Sequence, residues 1–123
     1  MEFETADEIT IDKVRTGPKT DEYQYRKMPA VPKLIKDIDP ENDIRVRIVG
    51  KILDKGFGFL VIDDGSAQKE IIADFDIEQE IGDTIRVFAR VLPLEEGFEL
   101  RAELVQDMNN LDVELYKKVV LGL

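Results

Sequence analysis

Two sets of side chains in this sequence could act on a ligand. The adjacent carboxylates Asp63-Asp64 could hold a hard cation such as Mg²⁺ or Ca²⁺, which favours oxygen ligands. The second set is basic and aromatic: Arg45, Arg47 and Lys51, then Arg86, Phe88 and Arg90, then Arg101, with Phe57 and Phe98 beside glycine-containing turns. Cations spaced along a strand can neutralise successive phosphates, and an aromatic face beside them can stack on a base for about 1–3 kcal/mol. Each set has a plainer alternative. Asp63-Asp64-Gly65-Ser66 is a turn sequence, which predicts solvated acids in a hairpin and no metal site. Alternating arginines also make an ordinary solvated strand face, and Phe88 could pack under an N-terminal arm.

Composition removes most catalytic chemistry. The 123 residues include no Cys, no His and no Trp. Zinc fingers, Fe–S clusters, thiol catalysis and Ser-His-Asp triads are therefore excluded. There is no Walker A motif, and Gly56-x-Gly58 alone spans a turn. The expectation is a protein that is no enzyme and has no cofactor. The 27 acidic and 17 basic side chains give a net charge of -10, which works against a phosphate backbone. A charged fraction of 36% without Cys or His resembles thermophile compositions. Residues 1–10 carry four acids, unlike a signal or transit peptide, and no apolar run is long enough to span a bilayer. A soluble cytoplasmic protein with no membrane partner is expected.

The elements that must position these residues fall into three parts. Residues 1–43 hold four of the five prolines and read as an N-terminal arm. Ile9-Thr10-Ile11 alternates like a short strand, and Val31, Leu34, Ile35 and Ile38 have the spacing of a short helix near 31–38. Residues 44–105 read as five strands. The first is long, with Gly50 marking a bend, followed by a Lys55-Gly56-Phe57-Gly58 turn. Phe59-Leu60-Val61-Ile62 and Glu70-Ile71-Ile72-Ala73 are the second and third, joined through Asp63-Asp64-Gly65-Ser66. Ile85, Val87, Ala89 and Val91 alternate with Arg86, Phe88 and Arg90 in the fourth. Phe98, Leu100, Ala102 and Leu104 alternate with Glu99, Arg101 and Glu103 in the fifth. Five strands with a long bent first one predict a small closed barrel, an oligonucleotide/oligosaccharide-binding (OB) barrel ahead of an SH3-like one. The connection at 74–83 is too short for more than one helical turn.

Residues 106–123 change period. Leu111, Leu115 and Val119 lie at i, i+4 and i+8, with Tyr116, Val120 and Leu123 in the adjacent row. This predicts an amphipathic helix of about three turns, N-capped by Asn109 or Asn110. It could plug its own barrel, but its apolar face is wide enough to favour a partner interface in a helix bundle.

Three stretches resemble the replication protein A family. Val105-Gln106-Asp107-Met108-Asn109-Asn110-Leu111 with the following helix is similar to the exit from strand five and the trimerisation helix of the eukaryotic middle subunit. Val61-Ile62-Asp63-Asp64-Gly65-Ser66 and Gly82-Asp83-x-Ile85-Arg86-Val87 are similar to strand motifs of that family's OB barrels. The resemblance covers about residues 30–123, and length and mass look like the 14 kDa subunit of the archaeal complex. It implies a heterotrimer with a large and a 32 kDa subunit, joined by a three-helix bundle, that coats single-stranded DNA in replication, repair and recombination. Leu111, Leu115, Tyr116, Val119, Val120 and Leu123 would face the bundle. Phe57, Phe88 and Phe98 match by barrel position only. A Ser-rich phosphorylated tail and a winged-helix domain are missing from the resemblance, so phospho-regulation is not implied. Two other readings remain: an acidic OB adaptor that binds protein and no nucleic acid, and an RNA-binding OB module.

Overall fold

The computed structural model describes residues 29–123. The chain forms β1 (Val31–Pro32), a 3-10 turn (Ile35–Asp37), β2 (Arg45–Gly56), β3 (Phe59–Asp63), β4 (Gln68–Ile72), β5 (Thr84–Pro93), β6 (Phe98–Asp107) and α1 (Val113–Val120). The sheet order is β1-β2-β3-β4-β6-β5, and a β2–β5 pairing closes the five long strands into a barrel. The fold is thus mainly β, a closed five-stranded barrel with one C-terminal helix. The strand expected at Ile9-Thr10-Ile11 lies outside the described residues.

One strand closes the barrel because it serves two partners. Arg45 to Lys51 pair with β5, and Lys51 to Gly56 pair with β3, so Lys51 faces both Thr84 and Asp63. The handover requires a bend. At Gly50 a Cβ would lie 2.5 Å from the Asp63 carbonyl oxygen, so only glycine lets the strands approach there. The pairing register then shifts between Ile52 and Asp54, which twists the strand towards β3. The opposite seam is slight: β4 meets β6 in parallel through Ile71–Leu100 and Ile72–Arg101.

Alternation puts one side of every strand inside. Val46, Ile48, Ile52, Leu60, Ile62, Ile71, Ile85, Val87 and Leu100 are fully buried. Each contributes roughly 1.5–3 kcal/mol relative to exposure in water. Of the helix expected near 31–38, only the three-residue 3-10 turn forms, and Val31 and Pro32 make the β1 bridge instead. Leu34, Ile35 and Ile38 are buried against the barrel, whereas Val31 is 43% exposed and pairs with Val46. Long-range partners take the amides a helix would use: Lys33 N donates to Arg47 O, Ile35 N to Asp64 Oδ2 and Lys36 N to Ser66 Oγ.

Asp64 is the latch for that segment. Its Oδ2 accepts from Ile35 N at 2.7 Å, and its Oδ1 accepts from Ser66 N, Ser66 Oγ and Ala67 N. The turn predicted a solvated acid, but Asp64 is 5% exposed. Its four donors replace water. Asp63 keeps the expected turn role, accepting from Gly65 N.

The 73–83 connection carries no helix. The Lys55 ammonium holds the carbonyls of Ile77 and Gln79 at 2.9 and 2.8 Å, which fixes an extended path. At the C-terminal end, β6 runs on to Asp107, and the Asn109 side chain accepts from Thr84 N instead of capping a helix. Asp112 is the N-cap, accepting from Leu115 N, so α1 has eight residues, about two turns and not three. Glu114 in its first turn and Lys117 and Lys118 in its last follow the helix dipole.

Candidate nucleic-acid interface

Residues paired across strands share a face, so register alone groups the outward side chains. Arg45 lies opposite Arg90, and Arg90 opposite Arg101. Three guanidinium groups therefore stand in one row across β2, β5 and β6. The row continues through Ile72 on β4 to Phe59 on β3. Like charges placed opposite one another repel, and two acids offset this. Arg45 Nε meets Glu103 Oε1 at 2.7 Å, and Arg101 Nε meets Glu99 Oε2 at 2.7 Å.

Glu103 reaches Arg45 because β6 is irregular. Phe88 pairs with Leu104 but Ala89 with Ala102, which leaves Glu103 as an extra residue. The extra residue reverses the alternation beyond it. Leu104, expected inside, is 47% exposed, and Val105 turns in against the core.

The next rows are Arg47–Phe88–Leu104 and Val49–Arg86–Gln106. Arg86 donates from Nε and Nη2 to Gln106 Oε1, and its guanidinium lies 5.4 Å from the Phe88 ring centre. Helix α1 lies near these rows. Burial pushes the Tyr116 phenol above its usual 10.0, while the charges of Arg47 and Arg86 act the other way. The Arg47 Nε is buried without a hydrogen-bond partner among the described residues. Lys51 lines a cleft of about 310 Å³ with Val49, Leu53, Thr84, Val113 and Lys117.

The nine expected nucleic-acid residues thus divide into separate places. Arg45, Arg90 and Arg101 form the outward row. Arg47, Arg86 and Phe88 form a cluster in reach of Tyr116, and Lys51 sits between barrel and helix. Phe57 stands fully exposed, at 105%, on the β2–β3 turn. Phe98 packs against the core at the start of β6, with Lys69 Nζ 4.1 Å from its ring centre and bonded to its carbonyl. Phe59 at the end of the row and Phe75 beside Phe57 are not among the nine expected residues. Phe57 and Phe59 stand on either side of the Gly58 turn, where strand alternation does not apply, and nothing in the sequence brings Phe75 to them.

Of the six expected interface residues, Leu115, Val119 and Leu123 face outward, at 56, 73 and 63% exposure, and Val120 is also exposed. Leu111 and Tyr116 are partly buried. No group of three metal-ligating side chains gathers among the described residues.

No family model and no curated protein matches the sequence. Solved structures do match. The telomere capping protein Ten1 from S. pombe superposes with a TM-score of 0.63 at 17% identity, over 76% of this chain and 96% of that one. A chain of the S. pombe Stn1–Ten1 complex gives 0.61 at 16% identity, over 78% and 92%. A chain of a replication protein A heterotrimer bound to single-stranded DNA gives 0.55 at 12% identity, over 69% and 75%. The fold is an OB fold. Its five barrel strands are β2 to β6, and β2 is the long strand shared by both sides of the OB barrel.

Proposed function

We propose that this OB-fold chain is a non-catalytic subunit of an intracellular heteromeric complex that binds single-stranded DNA. The finer reading is a replication protein A type of assembly acting in replication, repair and recombination. In it, α1 packs with one helix each from a large and a 32 kDa subunit. The observation that carries the reading is the outward row Leu115–Val119 on a helix with no buried residue, continued past the helix end by exposed Leu123. Such a row on a two-turn helix gains stability only when another surface covers it. The structural likeness to Ten1 and to a subunit of a DNA-bound heterotrimer supports the same reading. DNA contact falls to the Arg45–Arg90–Arg101 row, where guanidinium groups can meet successive phosphates.

Native mass spectrometry of the tagged protein purified from its host tests this. The wild-type chain should carry partner subunits, and Leu115→Glu with Val119→Glu should release them while the barrel stays folded. Partners retained at full strength by that double variant would overturn the role of α1.

A second reading has its own observation. Arg45, Arg86 and Arg101 each hold an acidic or amide side chain of the same barrel, which suits an acidic adaptor without nucleic acid. Crosslinking within the purified complex separates the two: photo-crosslinks from this chain to DNA favour the first, and a complex-wide footprint without them favours the second.

A further inference from the structure

The β2–β3 turn and the β4–β5 connection enclose an open cleft of about 540 Å³. Its apolar lining is Phe57, Phe59, Phe75 and Ile77. Phe57 is fully exposed and Phe75 is 39% exposed. The Phe59 ring lies across Gly56, where any Cβ would collide with it. The walls are tied together before any ligand arrives. Ala73 N donates to Gly58 O at 2.9 Å, and Lys55 Nζ grips the carbonyls of Ile77 and Gln79. A preformed site loses little freedom on binding.

Charge decides what fits. Asp74 and Asp76 line the cleft, and the same connection carries Glu78, Glu80 and Asp83 with no Lys or Arg. The one base in the lining, Lys55, is occupied by the two carbonyls and by Glu80 at 3.9 Å. Among the described residues, Asp74 and Asp76 have no hydrogen-bond or ion-pair partner. A phosphate backbone is repelled by this rim. A cationic side chain is attracted both by the carboxylates and by the faces of the aromatic rings.

We propose that this cleft docks a short basic segment of a partner protein. An apolar side chain sits among Phe57, Phe59 and Phe75, and a neighbouring Lys or Arg is held by Asp74 and Asp76. The site uses no residue of α1 and none of the three arginines, so it stands or falls apart from the assembly reading. It moves Phe57 from a nucleic-acid platform to a protein anchor.

Fluorescence anisotropy with the full chain tests the proposal. The probes are a labelled peptide repeating Arg-Leu-Lys-Phe, its counterpart with Glu for each base, and a labelled oligothymidylate. The basic peptide should bind in preference to the acidic one. Phe57→Ser, at a fully exposed position, should weaken it by about tenfold or more. Asp74→Lys with Asp76→Lys should abolish basic-peptide binding and admit the acidic peptide. Equal binding of the two peptides, or basic-peptide binding that neither variant changes, would overturn the proposal. So would oligothymidylate binding that Phe57→Ser weakens, which would make the cleft a nucleic-acid site.

Discussion

Asp64 and Tyr116 carry more of the architecture than their positions in sequence suggest. Asp64 joins the β3–β4 turn to the segment that closes the barrel end. Asp64→Ala leaves Ile35 N, Ser66 N and Ala67 N without their acceptor. It should lower stability by about 2–4 kcal/mol in urea denaturation followed by circular dichroism. Asp63→Ala, which loses one bond in an exposed turn, should cost far less. Tyr116 makes a pH prediction. Its folded-state pKa lies above the unfolded 10.0, chiefly through burial. The folded protein therefore holds the phenolic proton more tightly. That contribution is whole below pH 10 and is lost as pH rises through the higher folded value. Stability should fall more steeply above pH 10 in the wild type than in Tyr116→Phe, measured by denaturant midpoints across that range.

Among the elements, the strand seams differ most. β5 and β6 pair over nearly their whole length, from Ile85–Asp107 to Pro93–Phe98, whereas β4 and β6 meet at two positions. Fewer ladder bonds mean easier local opening. Hydrogen exchange should reach the amides of β4 before those of β5, and protection of β4 equal to that of β5 would contradict this ordering. Helix α1 is the other marginal element. Eight residues with none buried make a weak helix alone, so covering Leu115, Val119 and Leu123 should raise its protection. The exchange of α1 amides in the free chain and in the purified complex measures that difference.

For the whole molecule, the charge of -10 is unevenly placed. Residues 44–105 carry eight bases and thirteen acids, with acids grouped in the 74–83 connection and three bases gathered in the arginine row. The barrel thus offers a basic row and an acidic cleft at different places. The isolated chain should bind single-stranded DNA weakly, because its overall field opposes phosphate. Within the complex, replacing Arg45, Arg90 and Arg101 by Ala should reduce the slope of log affinity against log salt by about 2. An unchanged slope would remove the row from the DNA site.

The barrel is legible in local pattern alone. Period-two alternation and glycine-bearing turns are local signals, and burying one face of each of five strands leaves a closed sheet as their common solution. Spacing at i and i+4 likewise puts Leu115 and Val119 on one helix face, whereas Leu111, expected in the same row, lies before the helix starts and is partly buried. Contacts between distant segments set the remaining features. One extra residue at Glu103 turned Leu104 outward, and no local pattern announces a bulge. The 31–38 segment kept one 3-10 turn and gave the amides of Lys33, Ile35 and Lys36 to partners on β2 and the β3–β4 turn, which are distant in sequence. Strand register divided the basic and aromatic residues into a row, a covered cluster and a cleft. The reason is that side-chain type is written residue by residue, whereas the neighbour across a strand or turn is set by how the whole barrel closes.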